Sequence, residues 1–587
     1  MSLDFRNLNT LWAAVIAETL ARLGLQTAIA CPGSRSTPLT VAFAQHPQIE
    51  TLPIVDERSA AFFALGVAKQ QGLPVMLICT SGTAGANFYP AVIEAYYSHV
   101  PLIVLTADRP PELRNCHAGQ AINQTQLYGK YSRDYVEIAT PSADLTLLRY
   151  LRQSLCHAWQ IAQFPVAGAV HLNVPFRDPL PPLPDGTTAD LAASWEDEDF
   201  FGHVTPPNIT TVMANITTVM KAVNDWQDCD RGIIIGGLAQ PQAPAKYVDA
   251  IAHLSQSLGF PVLAEGLSPL RNYRDRNPYL ISTYDTLLRN PQLAQNLQPD
   301  LVIQIGELPI SKELRAWLEQ TQPQRWIIDP HPENFDPLHG KTRHLCLSVE
   351  QLATQLPDIK TASAYLHQWL QAETEMRSRI DTTLDSLEDR FEGKMAWLLS
   401  QTLPPQTPLF IANSMPVRDV EYFWQPNRDR LQPFFNRGAN GIDGTLSTAM
   451  GIAHRNRSSV LLTGDLALLH DSNGFLQASR LQGHLTIILI NNNGGGIFEM
   501  LPIAKFDTVF EDYFATPQTV DFAALCQTHG IEYELISTWD TLRDRLNPLP
   551  ATGVRLLEIR CDRHSDAQRR KMYFRQWAFQ LSVSKGQ

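Results

Sequence analysis

Leu461 to Phe498 reads L-L-T-G-D-L-A-L-L-H-D-S-N-G-F-L-Q-A-S-R-L-Q-G-H-L-T-I-I-L-I-N-N-N-G-G-G-I-F. Val460 to Leu462 is a short apolar run stopped by Gly464, and Leu485 to Ile490 is a longer one stopped by three asparagines. Continuous apolar runs of this length suit buried parallel strands. The spacing predicts a strand, a tight turn, a crossover helix over Ser472 to Arg480, a second strand and a glycine loop. In open α/β sheets, ligands sit at the carboxyl ends of the strands, where Asp465 and Asn491 to Gly496 fall. Asp465 brings an anionic oxygen and Asn492, 27 positions on, a neutral carbonyl oxygen, followed by glycines that let backbone approach closely. Such a donor set suits Mg²⁺ shared with phosphate. Taken alone, Gly-Asp is an ordinary strand-end turn. The second strand at this spacing favours a ligand site.

The 587 residues exceed what one core supports, and about three domains are expected. With 44% hydrophobic and 18% charged residues the composition is that of an ordinary globular protein. No apolar run has the length of a membrane span and Met1 to Thr10 has no leader pattern, so a cytoplasmic protein without a membrane partner is expected. The eight cysteines are scattered singly, without a Cys-x-x-Cys pair, and most are expected to be reduced and buried. A net charge of −12 argues against nucleic acid as a partner, and an anionic substrate would need local arginines.

Along the chain, Asn9 is placed to cap a helix whose apolar face is Leu11, Val15, Ala17, Leu20 and Leu23, ended by Gly24. Gln26 to Ala30 reads as a strand entering Cys31-Pro-Gly-Ser-Arg-Ser-Thr-Pro38. Ser34 and Ser36 are explained equally well as helix caps, whereas Arg35 near a helix start opposes the helix dipole and needs another reason. Leu52 to Val55 is a strand ending in Asp56-Glu57-Arg58, and Ala60 to Ala68 a helix of small residues. Val75 to Cys79 and Leu102 to Thr106 are strands, the first followed by Thr80-Ser-Gly-Thr-Ala-Gly-Ala-Asn87, the second by Ala107-Asp-Arg-Pro-Pro111. Five prolines between Pro175 and Pro184, then an acidic run through Asp199, read as a structureless linker. Gly232 to Gly236, Pro261 to Ala264, Leu301 to Ile305 and Trp326 to Ile328 mark a second α/β domain. No Gly-x-Gly-x-x-Gly follows Gly236-Gly237, so a dinucleotide reading is weak there. Ala362 to Leu399 is charged and helical, and strands at Leu409 to Ala412 and Phe434-Phe435 run into Asn413-Ser-Met-Pro-Val-Arg418 and Asn436-Arg-Gly-Ala-Asn-Gly-Ile-Asp-Gly444. The fold class is α/β, with three doubly wound parallel-sheet domains over 1–185, 186–360 and 361–587.

The Gly464-Asp465 to Asn492 segment resembles the diphosphate-binding motif of thiamine diphosphate enzymes, with Leu466 where the commonest form has glycine. Glu57 after a strand and the glycine-rich turn at Ser81 to Asn87 resemble that family's pyrimidine-binding domain. C-P-G-S-R-S-T-P, D-E-R-S-A-A-F-F-A-L-G, T-A-D-R-P-P-E-L, N-R-G-A-N-G-I-D-G and N-N-N-G-G-G-I-F are closest to one branch. That branch decarboxylates 2-oxoglutarate and adds the succinyl carbanion to isochorismate on the way to menaquinone and phylloquinone. The resemblance implies thiamine diphosphate with Mg²⁺ or Mn²⁺, and Glu57 as the catalytic residue, hydrogen-bonded to the aminopyrimidine. It implies Asp465, Asn492 and Gly494 as metal ligands, with Ile442, Gly464, Leu466, Gly495, Ile497, Phe498 and Leu501 around the cofactor. It implies Ser34, Arg35, Arg109, Gln120, Lys312, Ser414, Arg418 and Arg437 as substrate groups, and arginine suits substrates that carry two carboxylates each. Because the family shares one cofactor between two chains, it also implies a homodimer or homotetramer. Another carboligase of this fold, such as acetohydroxyacid synthase, is the nearest alternative. A non-catalytic relative is disfavoured by the presence together of Glu57, Asp465 and Asn492.

Overall fold

The computed structural model describes residues 3–207, 216–356 and 360–579. It contains three six-stranded sheets, in each of which all strand pairs are parallel. The first comprises β1 (Thr27–Ala30), β2 (Glu50–Pro53), β3 (Val75–Cys79), β4 (Leu102–Asp108), β5 (Asp134–Glu137) and β6 (Ala169–Pro175), in the order β2-β1-β3-β4-β6-β5. The second holds β7 (Gly232–Gly236), β8 (Val262–Ala264), β9 (Leu280–Ile281), β10 (Leu301–Ile305), β11 (Gln324–Ile328) and β12 (Lys341–Leu345), ordered β12-β11-β10-β7-β8-β9. The third holds β13 (Pro408–Ile411), β14 (Gln432–Phe434), β15 (Ser459–Gly464), β16 (His484–Asn491), β17 (Glu532–Leu535) and β18 (Gly553–Arg560), ordered β14-β13-β15-β16-β18-β17. The first and third sheets therefore have one topology. In each, the chain reverses its direction of growth beside the first strand, which makes a crevice at the carboxyl ends of β1 and β3, and of β13 and β15.

By internal contacts the chain forms two compact units: Met1–Thr210 with Asn436–Asn456 and Leu469–Gly483, and Thr211–Phe435 with Arg457–Leu468 and His484–Gln587. In the second unit, β15 and β16 pair as adjacent strands with Gly464 opposite Ile490, so Asp465 and Asn491 leave the sheet at one level. The helix after β15 begins at once, over Asp465–His470, while Ser472–Arg480 is a run of 3-10 turns and not the expected crossover helix. Gly474 is pressed there against Ser447 and Leu446, 2.9 and 3.0 Å from where a Cβ would lie.

The first helix is Leu8–Leu23, and its cap is Asn7, which accepts from the Thr10 N–H at 2.9 Å; Gly24 ends it at φ 108°. Asn9 instead donates to the carbonyls of Arg177 (2.7 Å) and Pro179 (2.9 Å). Those contacts, with Asn7 on Pro181 and Leu183, tie the proline run onto the first unit. The acidic run beyond it is also ordered, as short helices Ala189–Ala193 and Asp197–Phe201 whose Phe200 and Phe201 are buried in that core. Two apolar anchors outweigh the composition of the whole segment. The expected helix over 362–399 is two helices, Ala364–Asp385 and Glu392–Thr402. All eight cysteines are free, but only Cys31, Cys79 and Cys526 are buried, and Cys116 and Cys346 are exposed. In the second sheet, a Cβ on Gly237 would lie 1.8 Å from the Glu307 carbonyl, and one on Gly236 2.4 Å from Leu270. Glycine at these two positions lets the Glu307 backbone and the Leu270 side chain approach closely.

Candidate active site

In the first unit, the crevice between β1 and β3 gathers cations. Gly33 packs on Thr80, and the Arg35 N–H donates to Thr80 Oγ1 at 3.1 Å. The Arg35 side chain is buried, with Nη1 on the Phe176 carbonyl at 2.9 Å and Asp178 3.6 Å away. Its Nε is buried without a hydrogen-bond partner, and burial together with the charge of Arg109 holds the guanidinium below its ordinary pKa. A buried guanidinium with a donor to spare is able to take an anion or a water. Arg109, at the end of β4, donates Nη1 to Ser81 Oγ (2.9 Å) and Nη2 to the Gly119 carbonyl (2.7 Å). Gln120, at φ 56°, donates to the Ser81 carbonyl at 3.0 Å. Arg35, Arg109 and Gln120 are thus brought to one strand edge, with Ser34 exposed on the same turn.

Glu57 is the first residue of the Glu57–Gln71 helix, which Asp56 caps through the Ser59 N–H at 2.9 Å. It is half-buried, and among the described residues its carboxylate has no hydrogen-bond or ion-pair partner. The same helix packs on Thr445–Ala453 through paired glycines: a Cβ on Gly66 would lie 2.1 Å from the Thr448 carbonyl, and one on Gly451 2.1 Å from that of Phe63. The loop before Thr445 carries Arg437 and Ile442, both half-buried. Buried Glu94 holds it, accepting from the N–H groups of Gly438 (3.0 Å) and Ala439 (2.7 Å), with Lys69 4.0 Å away.

In the second unit, Ser414 lies three residues beyond the end of β13, just before the Met415–Phe423 helix, and its φ of 75° is a strained value for a residue with a side chain. Its carbonyl accepts from Arg418 Nη1 at 2.5 Å. At the end of β15, buried Asp465 accepts from the N–H groups of Leu466 (2.7 Å) and Gly494 (2.8 Å). Burial pushes its carboxyl up to about 6, against the pull of those N–H bonds. Gly494 has φ 126° and a Cβ there would meet the Ala515 carbonyl at 2.2 Å, so only glycine fits. A Cβ on Gly464 would meet nothing within 4 Å, which leaves open space where a phosphate would lie. Asn492 is buried and donates Nδ2 to Glu392 at 2.9 Å, which turns its Oδ1 away from Glu392. Gly495 bonds the Ala515 carbonyl at 2.7 Å, Phe498 meets Phe514 edge-on at 5.5 Å, and Ile497 and Leu501 are half-buried beside it. Lys312 opens the Lys312–Thr321 helix, exposed, with no ion pair among the described residues, while Glu313 beside it pairs with Arg289 at 3.2 Å.

Among the described residues no group of three His, Cys, Asp or Glu side chains could hold a metal ion. One carboxylate, one amide oxygen and one carbonyl with open space beside them fit a hard cation that takes its remaining ligands from phosphate and water. Glu392, Asp419, Arg570, Arg563 and Glu94 go unseen in the sequence. Arg563 alone had a signal, as a basic residue just past the end of β18; it donates to the Asn493 carbonyl at 2.7 Å.

Three models of the thiamine pyrophosphate enzyme match the chain: the N-terminal TPP binding domain over residues 12–127, the middle domain over 205–411 and the C-terminal TPP binding domain over 419–558. The chain belongs to the thiamine pyrophosphate enzyme family. Thiamine diphosphate is accordingly its cofactor, and the three α/β domains are those of the family. Within it, the chain is 60% identical to the 2-succinyl-5-enolpyruvyl-6-hydroxy-3-cyclohexene-1-carboxylate synthase of Gloeothece citriformis (strain PCC 7424), over 97% of this chain and 98% of that one. It is 61% identical to the synthase of the same name from Nostoc sp. (strain PCC 7120 / SAG 25.82 / UTEX 2576), over 97% and 98%. A third, from Acaryochloris marina (strain MBIC 11017), is 58% identical over 98% and 99%.

Proposed function

We propose that the chain is a 2-succinyl-5-enolpyruvyl-6-hydroxy-3-cyclohexene-1-carboxylate synthase, a transferase that decarboxylates 2-oxoglutarate and adds the succinyl unit to isochorismate in menaquinone or phylloquinone biosynthesis. The observation that carries this reading is the near-full-length identity of 58–61% to synthases of that name. The arginine-rich crevice supports it, because both substrates are dicarboxylates and the chain as a whole is anionic.

Thiamine diphosphate supplies the electron sink for decarboxylation and carbon–carbon bond formation. Glu57 holds the aminopyrimidine and moves the proton that activates the cofactor. Asp465, Asn492 Oδ1 and the Gly494 carbonyl would hold Mg²⁺ or Mn²⁺, and Gly464, Leu466 and Gly495 would line the cofactor beside it. Arg35, Arg109, Arg418 and Arg437 bind substrate carboxylates, with Ser34, Gln120 and Ser414 as neutral donors and Lys312 as a fifth cation. Ile442 supports the cofactor, and Ile497, Phe498 and Leu501 exclude water that would quench the nucleophile.

Glu57 and Asp465 belong to different domains, and a family cofactor shared between chains makes a homodimer the smallest active assembly, with a homotetramer the larger alternative. No helix among the described residues is long and apolar enough to cross a membrane. A cytoplasmic location is part of the same proposal, as suits an enzyme acting on small charged substrates. The test follows isochorismate by absorbance with purified protein, thiamine diphosphate, Mg²⁺ and 2-oxoglutarate. Loss that needs every component is expected. Bound cofactor with no loss would overturn the substrate assignment and leave the family intact.

A further inference from the structure

Asn492 is held by a buried charged relay. Its Nδ2 donates to Glu392 Oε2 at 2.9 Å, and Glu392 Oε1 accepts from Arg570 Nη2 at 2.8 Å. Arg570 also donates to Asp419 Oδ1 at 2.7 Å, and Asp566 accepts from the Glu392 N–H at 3.3 Å. Asn492 is 7% exposed, Glu392 2%, and Arg570, Asp419 and Asp566 1% each. Glu392 opens the Glu392–Thr402 helix, while Arg570 lies in the last described helix, Arg563–Phe579. That helix also holds the next residue of the loop, through Arg563 on the Asn493 carbonyl at 2.7 Å. Buried charges of this number do not favour stability over a well-packed apolar cluster, so their use is sought in what they orient.

An amide has two orientations of nearly equal shape, related by a half-turn, and only its hydrogen bonds distinguish them. A carboxylate only accepts. Glu392 therefore fixes Nδ2 on its own side and sends Oδ1 to the other. We propose that Glu392, braced by Arg570, is a positioning residue that presents the Asn492 amide oxygen to the divalent cation. This rests on the reading of Asp465, Asn492 and Gly494 as the cation's ligands.

The test uses Glu392→Gln, which keeps size and shape but can donate as well as accept. The substituted side chain can turn its amide N–H toward Asn492 and flip it, so that an N–H faces the metal. Mg²⁺ is titrated by calorimetry into apoprotein at saturating thiamine diphosphate, with circular dichroism to verify folding. Glu392→Gln is expected to weaken Mg²⁺ by about 10- to 100-fold, as for other groups that orient metal ligands. Asn492→Asp has oxygen on both arms. Beside Glu392 it sets two carboxylates together and should harm binding, whereas in the Glu392→Gln background it should restore affinity to within about threefold of wild type. A merely structural role gives no such reversal. Wild-type affinity in Glu392→Gln, or equal harm from Asn492→Asp in both backgrounds, overturns the proposal. Wild-type protein that binds no Mg²⁺ with the cofactor removes the metal reading and the inference with it. Should Glu392→Gln fail to fold, a crystal structure of wild type with Mg²⁺ and cofactor decides. Asn492 Oδ1 at about 2.1 Å from the metal with Nδ2 still on Glu392 supports the proposal, and a broken Glu392 bond overturns it.

Discussion

At the residue scale, Glu57 and Arg35 carry different kinds of work. Glu57 heads a helix with its carboxylate unpartnered among the described residues, so its removal should disturb no protein contact. Glu57→Gln is expected to bind thiamine diphosphate and keep its melting temperature while turnover falls by about 10²- to 10⁴-fold, the range of a lost proton-transfer group. Weakened binding without slower turnover in the bound enzyme would remove the proton role. Arg35 is the opposite case, fixed by Phe176 and Thr80 with one buried donor left over. Arg35→Lys keeps a cation but loses the planar fork. Its KM for a dicarboxylate substrate should rise by about 10- to 100-fold, near 1.4 to 2.8 kcal/mol. Initial rates against each substrate in turn identify which carboxylate it holds, and unchanged KM for both would remove Arg35 from the site.

At the element scale, two helices of the first unit meet at Gly66 and Gly451, each facing a carbonyl of the other helix. Gly66→Ala puts a methyl group 2.1 Å from backbone, which must move. The cost is that of overpacking, about 1–3 kcal/mol, read from urea midpoints. Gly464→Ala is the contrast, with open space around its Cβ: it should keep the midpoint and weaken cofactor binding. Equal midpoints for wild type and Gly66→Ala would mean that the two helices are not held at this distance. Elements of this kind also separate what was legible in the sequence from what was not. β3, β7 and β10 lie where their apolar runs placed them, because a strand buried on both faces declares itself in composition. β12, K-T-R-H-L, and β17, E-Y-E-L, are sheet-edge strands with charged faces, and nothing local separates them from loop. The strand ends and their polar residues were readable, hence Asp465, Arg35 and Arg109. Glu392 and Arg570 act through contacts 100 and 178 residues apart in sequence, which no spacing rule reaches.

At the scale of the whole molecule, acid stability is a contest between groups that burial shifts in opposite directions. His171 is fully buried, its Nε2 hydrogen-bonded with Thr106 Oγ1 at 2.7 Å, and burial lowers its pKa to about 3. Burial raises Asp465 and Asp471 to about 6. Between the ordinary histidine value and about 3, the unfolded chain binds a proton at His171 that the folded chain refuses, so folding loses stability as pH falls. The two aspartates act with the opposite sign, because the folded state protonates first and is favoured as pH falls from about 6 toward their ordinary range. Comparing wild type with His171→Gln cancels the aspartates. Whatever the substitution costs at pH 7.5, it should cost less at pH 5.0, by about 2 kcal/mol for roughly 1.5 pH units below the free histidine pKa. Urea unfolding at the two values measures this. Parallel curves would mean that protonated His171 is accommodated in the folded protein.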